Sequence, residues 1–351
     1  MLKQTYKSLQ EAKPGIRIRE AANILGVSEL ELLETSLGQS VTRLSGDWKE
    51  LLRSLAPLGK VMALTRNEYA VHERKGIYQN VSFIGEGQMG IAVNPDIDLR
   101  FFMDQWAYGY AVAVPKGNRV LKGFQFFDGH GRAVHKIYLT PSSDEMAFEQ
   151  LLRAYRAPDQ DSTIKPLPSP VKEKALADEL GFAEKAAFQK DWLGLEDTHD
   201  FFPMLRKHAV SRLQALHHAP VGMAIEVGTT AVRAAMLQAA EREVPVMVFV
   251  NSPGCIQIHT GEVKRLVDMG NWFNIMDPDF NLHLNLEGVA QSWIVRKPTN
   301  DGIVTALELF DAAGSLIAYF FGARKPGKPE LGAWREILGS LRPLSELVTN
   351  G

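Results

Sequence analysis

The sequence predicts an α+β protein in which one unit occurs twice, each unit a mostly antiparallel β-sheet flanked by helices. Chain length, a self-match at a constant shift and closely spaced short strands carry that expectation. At 351 residues the chain exceeds what one hydrophobic core usually fills, so two domains are the starting point. Shifted by 183 positions, NPDIDLRFF (94–102) falls on DPDFNLHLN (277–285), and FFDGHG (126–131) falls on LFDAAG (309–314). Between residues 94 and 139 no gap is needed, and Pro95, Asp96, Leu99, Ala107, Val112, Pro115, Phe127, Asp128 and Gly131 all meet identical residues. The same shift sets Val27, Ser28, Leu30 and Leu33 on Val210, Ser211, Leu213 and Leu216. One match could be chance, but a common shift across separated blocks is what duplication produces.

Helical patterns open each copy. REAANILGVSELELLETSL (19–37) and FFPMLRKHAVSRLQALHHA (201–219) both repeat apolar residues at three and four. Strand-like runs follow in the second copy at 244–251, 255–260, 272–277, 281–286, 292–298, 304–311 and 316–322, each short and bounded by turn residues. Their spacing leaves no room for crossover helices, so the strands should pair antiparallel. The copies should be an N-terminal repeat over 1–156 and a C-terminal repeat over 175–351. Residues 157–174, APDQDSTIKPLPSPVKEK, read as a linker, because Pro158, Pro166, Pro168 and Pro170 remove donors and favour extended backbone. Helix-like stretches at 144–155 and 173–192 flank it, the second interrupted at Gly181.

Bulk composition narrows the function. Hydrophobic residues at 45% and charged residues at 23% describe an ordinary folded chain. A net charge of −2 leaves no cationic excess to neutralise a phosphate polymer, which argues against nucleic acid as a partner. The lone Cys255 cannot form an internal disulfide, no apolar run reaches a bilayer's width, and the first residues lack the apolar core of a secretory signal. A cytoplasmic protein without a membrane span is the expectation.

Comparing the copies highlights candidate site residues. At the 183 shift His199 meets Ile16, Arg212 meets Glu29 and Lys297 meets Val114. Only the second copy therefore gathers an imidazole and extra cations near its helix-to-sheet boundary. His199, in EDTHDFFPML, stands just ahead of a helix that carries Pro203 in its first turn. Taken alone it also suits a capping or surface histidine. His208, His217 and His218 suit helix surfaces and helix ends. A zinc site is disfavoured by the single cysteine and by the lack of paired ligand motifs. FIGEGQMG (83–90) has the spacing of a dinucleotide fingerprint, but strand-like residues follow it where a helix is required. Cys255 reads as a buried structural thiol.

Several longer strings carry a family resemblance: IDLRFF (97–102), DTHDFF (197–202), GCIQIHTGEVK (254–264), WFNIMDPDFNLHLN (272–285) and FFGARKPGKPE (320–330). Across nearly the whole chain the sequence resembles the bacterial haemin-degrading and haem-transport family of the HemS, HmuS and ChuS type. The resemblance implies tandem repeats and one haem held by the C-terminal half. It also implies a role in iron acquisition, either as an enzyme that opens the ring with an external reductant or as a chaperone that delivers haem to a partner oxygenase. A haem importer and a reductase are further implied partners. Carried over by motif, His199 is the axial iron ligand and Arg100 serves the opposite face of the haem, with Phe102 beside it. Arg212, Lys297 and Arg324 would hold propionates. Where the family usually places a glutamine and a tyrosine near the haem, this chain has Tyr319 and Phe321. Whether His72 makes a secondary haem contact stays open.

Ferric haem explains why such residues would be assembled. An imidazole is the commonest axial donor, and its second nitrogen is usually oriented by an acceptor, here Asp197 or Asp200. Phe201 and Phe202 could cover the ring or simply pack a core. Arginine and lysine match the acidic edge through charge-assisted hydrogen bonds.

Overall fold

A computed structural model describes residues 1–117, 119–168, 181–325 and 327–348. The chain forms two compact units. One comprises Met1–Arg66, His72–Val171 and Asn251–Gln257, and the other Asn67–Val71, Lys172–Val250 and Ile258–Gly351. Two short segments thus belong to a unit other than the one chain order assigns, which the simple division around residues 157–174 does not anticipate.

In the first unit, helices α1 (Leu2–Ala12), α2 (Ile18–Leu25) and α3 (Glu29–Glu34) lead into strand β1 (Val41–Leu44) and α4 (Trp48–Arg53). Strands β2 (Val61–Arg66), β3 (Ala70–Gly76), β4 (Val81–Ile84), β5 (Met89–Val93) and β6 (Asp98–Phe102) come next. Then β7 (Tyr108–Lys116), β8 (Arg119–Phe127) and β9 (Ala133–Leu139) precede α5 (Glu145–Tyr155). An antiparallel sheet runs in the order β1-β7-β8-β9-β2, and β4, β5 and β6 form an antiparallel triplet. Gly85 and Gly87 of FIGEGQMG, both at positive φ, make the β4–β5 hairpin turn, while Gly90 lies in β5 opposite Phe83.

The second unit repeats this order. Helices α6 (Phe182–Leu193), α7 (Phe201–Lys207) and α8 (Arg212–His217) precede β10 (Ala224–Val227) and α9 (Ala231–Glu241). Strands β11 (Val246–Asn251), β12 (Cys255–Gly261), β13 (Leu266–Met269), β14 (Trp272–Met276) and β15 (Phe280–Asn285) follow. Last come β16 (Gln291–Lys297), β17 (Val304–Phe310), β18 (Leu316–Gly322), α10 (Gly332–Gly339) and α11 (Leu344–Val348). The sheet order β10-β16-β17-β18-β11 reproduces that of the first unit strand for strand, as does the triplet β13-β14-β15. Strands β3 and β12 each straddle the division between the units.

Each continuous helical pattern read from the sequence is two helices, broken for the same reason at matched positions. Gly26 (φ 66°) and Ala209 (φ 50°) turn left-handed, and the next residues, Val27 and Val210, donate back to the carbonyls of Ala22 and Leu205. Ser28 and Ser211 then start the second helix of each pair with reciprocal caps to Glu31 and Gln214. Asp128 and Asp311 make equivalent turns, each accepting from backbone N–H groups two and four residues on.

Packing fills both faces of each five-stranded sheet. In the second unit Trp293, Val295 and Phe310 meet α6, α7 and α8 on one face, while Val248, Leu307, Leu309 and Phe320 meet α9 and α10 on the other. Burial on two sides makes β17 buried at every residue, polar ones included.

The expected linker is not loose over its first part. Its residues 157–168 lie on the first unit: Gln160 exchanges hydrogen bonds with the backbone of Arg43, Leu167 N–H donates to Gly129, and Ile164 N–H donates to Glu34. Arg43 pairs with buried Glu34 and donates to the Ser162 backbone and hydroxyl. Residues 169–180, which complete the linker and begin the expected helix at 173–192, lie outside the described residues; α6 starts at Phe182.

Candidate functional site

The second unit assembles a charged centre on an aromatic floor. Register sets Phe249 of β11 opposite Tyr319 of β18, Tyr319 opposite Glu308 of β17, and Glu308 opposite Trp293 of β16. Four side chains therefore make a row across one sheet face. Phe249 and Tyr319 stack with centroids 4.5 Å apart, and Phe321 packs edge-on against both, at 5.4 and 5.8 Å.

Over this row comes the first turn of α8. Arg212, directly after the capping Ser211, reaches Glu308 through Nε and Nη2, both at 2.7 Å. Lys297, at the end of β16, donates to Glu308 Oε1 at 3.0 Å. Phe201 of α7 sits against both cations, its ring centre 5.5 Å from the Arg212 guanidinium and 4.2 Å from Lys297 Nζ, while the Tyr319 ring lies 5.2 Å from Arg212. Burial would raise the Glu308 carboxyl, but Arg212 and Lys297 outweigh it and hold the group down at about 2. Burial also pulls Lys297 down to about 8, against the raising effect of Glu308.

His199 lies two residues before Phe201, in the 3-10 turn Thr198–Asp200 that leads into α7. The Asp197 carboxylate accepts from its backbone N–H at 2.8 Å and lies 2.6 Å from Nδ1. First the His199 backbone N–H, then its ring, hold the Asp197 carboxyl below the usual carboxylate range. An acceptor at Nδ1 fixes the proton there and leaves the lone pair on Nε2, the orientation a metal-binding imidazole needs. The ring itself is 92% exposed.

Arg324, just past β18, donates to Asp301 at 3.2 Å, while its buried Nε has no partner among the described residues. Arg100 and Phe102 belong to the first unit, on β6, where they alternate with buried Leu99 and Phe101. Arg100 is paired with Asp98 and is 32% exposed; Phe102 is half-buried. Within the second unit, then, Phe201, Arg212, Lys297, Tyr319 and Phe321 come together, with His199 on the adjoining turn. Glu308, on which the cations converge, has no place among the residues expected from sequence. Phe202 is exposed beneath Arg206 rather than packed.

The other candidates have structural roles. His208 Nε2 meets Asp191 at 2.8 Å, and His217 lies edge-on to Trp293. His72 is buried in β3. Cys255 is fully buried, and that burial pushes its thiol up to about 12. Among the described residues no group of three or more His, Cys, Asp or Glu side chains could hold a metal ion, and no helix is long and apolar enough to cross a membrane.

Fold and site together define a tandem α+β repeat protein whose second copy carries a cation-bearing aromatic floor and, on the turn before α7, an exposed imidazole. The haemin-degrading HemS/ChuX domain matches residues 26–155 and 209–341, once in each half, and the chain belongs to that family. The hemin transport protein HmuS of Yersinia pestis is 36% identical over 342 residues, 97% of each chain. HemS of Yersinia enterocolitica, also a hemin transport protein, is 36% identical over 347 residues, 97% of this chain and 98% of that one. Among solved structures, the apo form of PhuS, a heme-binding protein from Pseudomonas aeruginosa, superimposes with a TM-score of 0.91 at 43% identity, covering 98% of this chain and 99% of that one. ChuS, described as an E. coli heme oxygenase, gives 0.86 at 34% identity over 98% and 100%.

Proposed function

We propose that this chain binds haem in its second unit and serves haem trafficking in the cytoplasm, oxidative haem degradation with iron release, or both. The observation that supports the site is the His199 imidazole, whose Nδ1 is held by Asp197 so that Nε2 is left as a donor, on the exposed turn that leads into the helix carrying Phe201. Haem is the cargo, its iron taken by His199. The aromatic floor of Phe249, Tyr319 and Phe321 suits a flat apolar ring, and Arg324, with an unmatched buried Nε, suits an acidic edge; Phe201, buried against Trp192, packs the core behind it. Arg100 and Phe102 enter this reading from the family resemblance. Haem oxygenase, reductase and importer partners belong to the same proposal.

Titrating the protein with haemin tests it. About one haem per chain with a distinct Soret band is expected, and His199→Ala should shift that band and weaken binding; an unchanged spectrum removes His199 from the site. Arg100→Ala should weaken haem retention or slow turnover, and no effect on either removes Arg100. Supplying reductant and oxygen with catalase present separates the two activities: conversion to an open tetrapyrrole marks the enzyme, whereas stable haem that passes to an added oxygenase marks the carrier.

A further inference from the structure

Glu308 is a fully buried carboxylate facing two cations, and the exposure of those cations is uneven. Arg212 keeps 24% of its side chain exposed, whereas Lys297 keeps 3%. The bidentate clamp uses the Nε and Nη2 edge of the guanidinium and leaves Nη1 unspent on Glu308. Lys297 Nζ is covered by Phe201 at 4.2 Å and Phe321 at 5.9 Å. A carboxylate with two cations carries one net positive charge, held in a place where water screens it weakly.

The first unit shows that the fold itself does not require an acid here. Gln125 occupies the matched place on β8, opposite Lys136 in the same register that sets Glu308 opposite Tyr319. There the acid sits on the helix, as Glu29, and the cation on the sheet, as Lys136. In the second unit the polarity is reversed, with Arg212 on the helix and Glu308 on the sheet.

Resting on the haem-binding reading above, we propose that Glu308 is the positioning residue of the site: it grips Arg212 by one edge so that the other edge meets a single carboxylate of the porphyrin, while Lys297 is the buried counter-charge behind it. The task of Lys297 is to keep the centre at one positive charge, so that the porphyrin's carboxylate is matched and Glu308 does not repel it. The groups facing Lys297 are Glu308 from β17 and Arg212 from α8, with uncharged Phe201 and Phe321 from α7 and β18.

The test uses the full-length chain with haemin, and with metal-free protoporphyrin IX so that no titration at iron intrudes. Glu308→Gln should weaken binding of both at pH 7 by about tenfold, although it removes a negative charge, because the arginine loses its preset orientation and Lys297 loses what keeps it protonated. For the wild type, protoporphyrin affinity should fall as pH rises through about 8, where Lys297 discharges. Lys297→Met should bind more weakly at pH 7 and lose that slope. Equal or tighter binding by Glu308→Gln, or a flat wild-type profile, overturns the proposal. If Glu308→Gln fails to give a native thermal melt, the Lys297→Met profile decides alone: a retained slope overturns the proposal and a lost one supports it. Failure of the wild type to take up haemin at all sinks the haem-binding reading itself, a result distinct from haemin uptake that Glu308→Gln leaves unchanged.

Discussion

Ala209 and Asp197 show how single residues set the local geometry around the second copy's site. Ala209 holds a left-handed conformation that its counterpart in the first copy, Gly26, adopts without a Cβ penalty. Because the break it makes ends α7 and lets Ser211 start α8, the backbone strain is tied to where Arg212 emerges. Ala209→Gly should therefore stabilise the protein by about 0.5–1 kcal/mol, read as a higher denaturant midpoint with unchanged slope. Asp197 acts differently, since it orients an imidazole by accepting from Nδ1. Asp197→Asn should leave the fold intact and reduce haemin affinity roughly 10- to 100-fold, the usual cost of losing such a partner. Haemin titration checks it, and wild-type affinity would show that His199 needs no orienting acceptor.

Elements explain what the sequence disclosed and what it concealed. The strands of the second unit were legible because strand-like runs of six to eight residues lay between turn residues, and β11, β12, β14, β15, β16, β17 and β18 all fall within or beside the expected runs. β10 and β13, four residues each, are too short to show a period. Apart from the family resemblance, His199, Arg212 and Lys297 stood out because the other copy has Ile16, Glu29 and Val114 at their positions. Glu308 had a neutral counterpart too, in Gln125, yet within VTALELF an acid looks like the solvent side of an alternating strand. What overrides that pattern is helix packing on both faces of β17, which buries Glu308 completely. Such a group links charge to stability. Its folded value of about 2 lies below the ordinary 4.5, so its contribution is present above pH 4.5 and is lost as pH falls towards 2. Urea midpoints between pH 7 and pH 3 should decline in the wild type, and Glu308→Gln should show a shallower decline from a lower starting value.

At the level of the whole molecule, duplication supplies two copies of one scaffold with opposite polar endowments, and that difference predicts stoichiometry. Where the second copy offers Arg212, Glu308 and Lys297, the first has Glu29, Gln125 and Val114, with Glu29 locked to buried Lys136. Ile16 stands in the place of His199. An acidic porphyrin edge would therefore meet a carboxylate in the first copy at the point where the second presents a guanidinium, and no imidazole would reach the iron from the matched position. Glu29 is itself paired with Lys136, so what the first copy lacks is the guanidinium that would match the acidic edge. Haemin titration should accordingly saturate at about one equivalent per chain, and Arg212→Glu, which gives the second copy the first copy's helix charge, should abolish tight uptake. Since that variant places two carboxylates against each other beside Lys297, its thermal melt must be measured alongside. A folded Arg212→Glu protein that still takes up one equivalent with wild-type affinity would show that helix polarity does not distinguish the two copies.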